Sequence, residues 1–292
     1  MYISVVLPIL NMAETVGQQL EALSNQTYTG EWELIVADNG SVDRGRAVCE
    51  MWMGIIPRFT IVDASDRRGA AAARNRGVSA AAGSILVFCD ADDVVHRRWL
   101  EGCASAMRHH DFMAGALDPF SLNGPDVPAW EARALHAAPV ALSFKPFALG
   151  ANMAVSRKAF DAVRGFRDDL MHFEDIDLSW RLQLAGYPLH FEPAAMVAKR
   201  YPPDLPGVWR ESTRGGTEDV DLYRLFRHHG VELPLGLGPL YSDFRRALTR
   251  GSRFRVVVNR RALVAAAARN YSRLVTCLRS PDSLVEKPPS SH

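Results

Sequence analysis

Residues 84–95 read SILVFCDADDVV, an apolar run that stops at three carboxylates, Asp90, Asp92 and Asp93. A buried strand ending in clustered like charges is costly unless a cation or a hydrogen-bonded ligand offsets the repulsion. Oxygen ligands suit Mg²⁺ or Mn²⁺, and Mg²⁺ commonly binds through one or two carboxylates together with substrate phosphates. The stretch therefore reads as the site of a divalent metal carrying a phosphate. A solvated acidic turn is the alternative, since short acidic motifs also arise by accident.

Upstream, strand and helix patterns alternate. Residues 3–10 form a β-branched apolar run, 15–23 carry helical spacing at Val16, Leu20 and Leu23, and 32–37 read as a strand. Residues 46–53 suit a short helix, 59–62 a strand and 70–82 an alanine-rich helix. This alternation implies an α/β fold with a parallel sheet. Ligands of such sheets collect at the carboxyl ends of the strands, and Asn11, Asp38, Asp63 and Asp90 all fall just beyond one.

Each of these edges also has a purely local explanation. In PILNMAE, residues 8–14, Pro8 stops the ladder and Asn11 suits the cap of the next helix. DNGSVD, residues 38–43, is turn chemistry with Ser41 or Asp43 as a cap. In RRGAAAARNRG, residues 67–77, small residues let a helix lie close to the sheet while Arg74 and Asn75 emerge together. Arg74 suits a phosphate or a carboxylate partner, with a plain surface arginine as the alternative.

Downstream, residues 174–187, EDIDLSWRLQLAGY, form an amphipathic helix that opens on Glu174 and Asp175 and stops at Gly186. The helix dipole alone would account for two acids at that end. EDVDL at 218–222 nearly repeats EDIDL at 174–178, and is read as a solvated helix start. Residues 150–153 read as a strand returning to the site floor, with Asn152 on it or serving as a turn residue. Residues 117–147 have the weak periodicity of loops.

The chain has 292 residues, 48% of them hydrophobic, and a formal net charge of +1. That length suits one large domain or two modest ones, and the charge gives no general case for nucleic-acid binding. No apolar run approaches a bilayer span. Residues 1–10 lack a basic leader, so the expectation is no signal peptide and a cytoplasmic location. Cys49, Cys89, Cys103 and Cys277 lack zinc or dithiol spacing and read as free, buried thiols. From Val231 onward there are eleven Lys and Arg against four Asp and Glu. There Arg245, Arg246, Arg250, Arg253, Arg255, Arg260 and Arg261 interleave with Phe244, Leu248, Phe254 and 256–258, a pattern fit for anionic headgroups at the inner face of a membrane or for docking back on the acidic remainder. Nucleic acid is not expected as a partner.

Taken together, SVVLPILN, ELIVADNGSVD, GAAAARNRG, GSILVFCDADD, GANMAVSRKAF and GFRDDLMHFEDIDLSWRLQLAGY closely resemble the family 2 glycosyltransferases from Ser4 to near Tyr187. The resemblance implies a GT-A fold: a Rossmann-like, mainly parallel sheet flanked by helices, here with a helical basic C-terminal extension. It implies residues 1–230 as the catalytic domain, 1–115 for the nucleotide and 116–230 for the acceptor, then the extension 231–280 and a disordered tail 281–292. The implied activity is that of an inverting enzyme of glycan biosynthesis, moving a sugar from a nucleotide diphosphate sugar to a glycan, lipid-linked or small-molecule acceptor. By the same resemblance Pro8, Asn11, Glu14 and Asp38 line the nucleoside pocket, and Arg74 and Asn75 stand beside the nucleotide. Asp90 leans to the ribose, Asp92 holds the Mg²⁺ or Mn²⁺ that bridges the phosphates, and Asp93 neighbours that metal. Asp175 is the general base and Glu174 helps hold the acceptor. Asn152 then stands near the sugar or acceptor, and the loops of 117–147 shape acceptor choice.

Two departures stand out. Residues 197–203, VAKRYPP, offer no histidine as a further metal ligand, and the Q-x-x-R-W pattern of processive relatives is missing. Its nearest counterpart, WRESTRGG at 209–216, makes Arg210 and Arg214 candidates for the diphosphate, with surface arginines as the alternative. Single-sugar addition is therefore expected. Two rivals remain open: DADDV at 90–94 also fits the motif of haloacid dehalogenase-like phosphatases with Asp90 as nucleophile, and a catalytically silent nucleotide-sugar-binding protein would share the fold.

Overall fold

The apolar runs become strands whose side chains alternate between two buried faces. In a computed structural model describing residues 1–123, 134–170, 172–234, 248–250, 256–258 and 260–279, the chain separates into two compact units. The first, Met1–Ala141 with Pro146–Tyr201, carries an eight-stranded sheet. Its strands are β1 (Ile3–Ile9), β2 (Trp32–Asp38), β3 (Phe59–Asp63), β4 (Ile85–Cys89), β5 (Val94–Val95), β6 (Phe112–Asp118), β7 (Asn152–Ser156) and β8 (His190–Ala198). The order is β3-β2-β1-β4-β7-β6-β8-β5. The first four run parallel, β7 is antiparallel to β4 and β6, β8 is parallel to β6, and β5 is antiparallel to β8.

Val5, Leu7 and Val87 face a core shared with Leu20, Leu34 and Trp99, while Val6, Leu86 and Phe88 face one shared with Phe112, Met153, Phe160 and Leu178. A sheet covered on both sides needs strands that are apolar throughout, which is why β4 is buried at every position. Helices α1 (Val16–Ser24), α2 (Gly45–Glu50), α3 (Ala70–Ala80), α4 (Trp99–Ala106), α5 (Arg157–Ala162) and α6 (Glu174–Leu184) complete this unit. Register places Ile9 opposite Asp38 and Asp38 opposite Asp63, so the polar strand ends share one edge. β1 runs one residue past Pro8, where the sequence suggested a stop. All four cysteines are free and buried.

The second unit is Leu142–Lys145 with Pro202 onward, so the boundary falls at Pro202 and not at the expected Val231. It contains α7 (Leu205–Phe226), the antiparallel pair β9 (Leu248–Arg250) and β10 (Val256–Val258), and α8 (Arg260–Arg279). Asp204 caps α7 by accepting from the Gly207 N–H at 2.8 Å. Glu218 and Asp219 are not a solvated helix start. They lie buried within α7, and Asp219 accepts from Arg269 and Arg273 of α8, each at 2.7 Å. Gly216 makes this approach possible, because a Cβ there would overlap the Arg269 carbonyl. Arg245, Arg246, Arg253, Arg255, Phe244, Phe254 and the tail 281–292 lie outside the described residues. No helix among the described residues is long and apolar enough to cross a membrane.

Candidate active site

The loops at the carboxyl edge of the sheet are tied to one another. Asn11, at φ 55°, accepts from the Val42 N–H at 2.9 Å, and its own N–H donates to Ser41 Oγ at 3.1 Å. It does not cap α1, which begins after Thr15, beyond a cap's reach. Asp43 accepts from the Ala13 and Gly45 N–H groups. Buried Asp38 accepts from the Ser41 N–H at 2.9 Å and lies 3.6 Å from Arg46 Nη1. Glu14 is exposed and Pro8 half-buried on the same rim. Asn39, which sequence reasoning passed over as a turn residue, donates to the Ala64 and Arg67 carbonyls and accepts from the Gly69 N–H, joining the loops after β2 and β3.

Arg74 is the hub of the site. Only 3% exposed, it donates through Nη2 to Asp90 Oδ1 at 2.7 Å and through Nη1 to Glu174 Oε1. Gly150 leaves room for the guanidinium, since a Cβ there would overlap it. Burial works against its charge, but Asp90, Glu174 and Asp175 hold its pKa above the ordinary arginine value. Asn75 does not present a free amide to a nucleotide. It donates to the Phe166 carbonyl at 2.9 Å and accepts from the Phe166 N–H at 3.1 Å, and the Phe166 ring centre lies 5.6 Å from the Arg74 guanidinium.

Asp90, Asp92 and Asp93 each bring a carboxylate oxygen within 4.8 Å of the others. Burial alone would raise Asp90, yet Arg74 and Lys199 hold it below its usual value. Each Asp93 oxygen already has a donor: Lys199 Nζ donates to Oδ2 at 3.1 Å and the Arg200 N–H to Oδ1 at 2.7 Å. Burial pushes the Asp93 carboxyl up, Lys199 opposes the shift, and the Asp90 and Asp92 charges add to it. The oxygens left over are those of Asp92 and Oδ2 of Asp90. Two hard carboxylate ligands fit an Mg²⁺ or Mn²⁺ that completes its shell with phosphate and water. Arg200 Nε further fixes the turn by donating to the Asp92 carbonyl at 2.8 Å. The segment without a histidine thus braces the acidic loop with two cations.

At the start of α6, Asp175 Oδ2 accepts from the Gly150 N–H at 2.9 Å and Oδ1 from the Ile176 N–H at 2.7 Å. Burial pushes its carboxyl up to about 7, Glu174 adds to the shift, and the Gly150 N–H and Arg74 oppose it. Arg181 anchors this helix to its approach loop, pairing with buried Asp177 and donating to the Val163 and Gly165 carbonyls.

Asn152, expected near a sugar or acceptor, is a core residue. Its amide donates to the Ala116 and Ala195 carbonyls, and its oxygen accepts from the Trp99 indole at 2.9 Å, so both donors and one acceptor position are spent inside. Arg210 and Arg214 are exposed, one turn apart on α7 of the second unit.

The sequence profile described as Glycosyl transferase family 2 matches residues 4–163, more than half of the chain. The chain belongs to glycosyl transferase family 2. Among curated members it is 27% identical over 194 residues to glycosyltransferase AglE of Haloferax volcanii, covering 65% of this chain and 64% of AglE. It is 28% identical over 230 residues to the poly-beta-1,6-N-acetyl-D-glucosamine synthase of Staphylococcus aureus, covering 74% and 55%. The chain spans less than two thirds of the length of these relatives. The mannosyltransferase PcManGT from Pyrobaculum calidifontis, solved with GDP-Man and Mn²⁺, superposes with a TM-score of 0.62 at 20% identity over 95% of this chain and 75% of that one. S. aureus TarS 1-349 does so at 0.59 and 18%, over 85% and 70%. The fold is GT-A, and family membership displaces the phosphatase alternative. The family match ends at 163, before Glu174 and Asp175, so those two acids rest on their geometry.

Proposed function

We propose that the chain is an inverting, non-processive glycosyltransferase that moves a sugar from a nucleotide diphosphate sugar to an acceptor hydroxyl, acting in the cytoplasm. The observation that carries this reading is the Arg74 bridge between Asp90 and Glu174, which makes the acidic turn after β4 and the start of α6 one site. The ligands of two fold relatives, GDP-Man with Mn²⁺ in PcManGT and UDP-GlcNAc in TarS, support a nucleotide-sugar donor.

Pro8, Asn11, Glu14 and Asp38 would rim the nucleoside, with Asn39 and Asn75 acting indirectly by holding the loops in place. Asp90 leans to the ribose, and Asp92 with Asp90 Oδ2 would hold the divalent ion. When bound, that ion offsets the negative charge developing on the diphosphate leaving group. Asp175 takes the acceptor proton as the hydroxyl attacks the anomeric carbon from the face opposite the leaving group, which inverts that centre. A carboxyl raised to about 7 is a far better base at neutral pH than an ordinary one. Glu174 keeps one oxygen on Arg74 and offers the other to the acceptor.

Thermal-shift screening of nucleotide diphosphate sugars with and without Mn²⁺ tests the donor site, because a ligand that binds the native state raises its melting temperature. Asp175→Asn should keep that shift and lose turnover. A variant that keeps turnover removes the base from the scheme. Failure of every nucleotide to shift the melting point, in any metal, removes the transferase reading altogether.

A further inference from the structure

The helix pair of the second unit combines a buried polar clasp with an exposed apolar stripe. Its interior holds the fully buried Asp219 between two arginines, and Thr217 and Ser272 share a 2.7 Å hydrogen bond. Outside, Tyr271, Leu274 and Leu278 are 57%, 49% and 79% exposed and follow one another at helical spacing along one stripe of α8. Trp209 of α7 joins them, its ring centre 6.2 Å from that of Tyr271. Isolated surface apolars need no explanation, but two large rings and two leucines gathered on one face of a helix pair do.

Charge selects the occupant. α8 carries five arginines and no acid, and of these Arg260 and Arg279 are exposed at its two ends. A second copy of the same face would meet like charge with like, whereas an anionic bilayer meets it with opposite charge. Indole and phenol rings settle at the headgroup level, leucines reach the acyl boundary, and arginine side chains extend to lipid phosphates. We propose that this face rests on anionic membrane lipid, with Trp209 and Tyr271 among the headgroups and Leu274 and Leu278 beneath them. The proposal is independent of the transferase reading, because it uses none of the residues placed in that site.

Co-sedimentation of the full chain with phosphatidylcholine vesicles, with and without phosphatidylglycerol, tests it. The protein should pellet with the anionic vesicles and stay in solution with the neutral ones. Leu274→Gln with Leu278→Gln should partition roughly tenfold more weakly with an unchanged melting temperature. Arg260→Glu with Arg279→Glu should weaken binding further at low salt. Bromine-labelled lipid should quench tryptophan emission less in Trp209→Phe, a readout that leaves the apolar area intact. The proposal is overturned if the chain ignores anionic vesicles, if both double variants bind as well as the parent, or if the leucine variants instead convert a dimer to a monomer in sedimentation velocity.

Discussion

Two pentapeptides that differ only in Ile176 against Val220 do opposite work. EDIDL opens α6, where three carboxylates, Asp90, Glu174 and Asp175, share one arginine, Arg74. EDVDL lies inside α7, where one carboxylate, Asp219, is shared by two arginines, Arg269 and Arg273. In the first arrangement burial, with the Glu174 charge added to it, lifts Asp175 to about 7, the condition of a usable base. The second is over-compensated and works as a structural clasp. Local sequence is the same in both. What differs is the place in the helix and the number of cations that the fold delivers.

The sharpest way to break this contrast is Asp175→Asn. Turnover should fall by roughly 10²- to 10⁴-fold with donor affinity retained, measured by initial rates and by thermal shift. Asp219→Asn should leave the rate constant of the chemical step near that of the parent. Next, Arg74→Met leaves Asp90 and Glu174 buried without their cation and should cost about 3–5 kcal/mol in urea unfolding, along with donor binding. Asp219→Asn strands Arg273 in turn, and should cost about 3 kcal/mol, the low end of that range because Arg269 keeps 38% of its side chain in water.

Smaller effects appear in the pH profile. kcat/KM should rise with pH through an acid limb near 7, as Asp175 loses its proton. Glu174→Gln removes a neighbouring negative charge and should move that limb to lower pH. Because the folded pKa of Asp175 is raised, its favourable contribution to stability is complete below the ordinary carboxylate value and is lost as pH rises through about 7. The melting temperature of Asp175→Asn, taken relative to the parent, should therefore climb between pH 5 and pH 8.

The parallel half of the sheet was legible because each strand is a self-contained apolar run: Ile85–Cys89 appears with the bounds its composition suggested, and α6 starts at the expected Glu174. The acidic turn was legible because three carboxylates follow an apolar strand, and Arg74 because a carboxylate partner was one of its readings. Asn152 was not, because its three partners, Trp99, Ala116 and Ala195, come from distant segments. Asn39 hides within ordinary turn chemistry. Glu218 read as a helix start, yet Gly215 and Gly216 just before it lie inside α7, where glycine costs about 1 kcal/mol. The close packing of α8 against Gly216 outweighs that cost, so α7 runs straight through.

The ties made by Asn11 and Asn39 bear on how fast and how tightly the donor is captured. Loops that ordinarily sample many shapes are joined across three strand ends before any nucleotide arrives. Little backbone freedom remains to be frozen on binding, so more of the contact energy is expressed as affinity. Cutting one tie, as in Asn39→Ala, should show as a slower, weaker capture whose deficit is entropic.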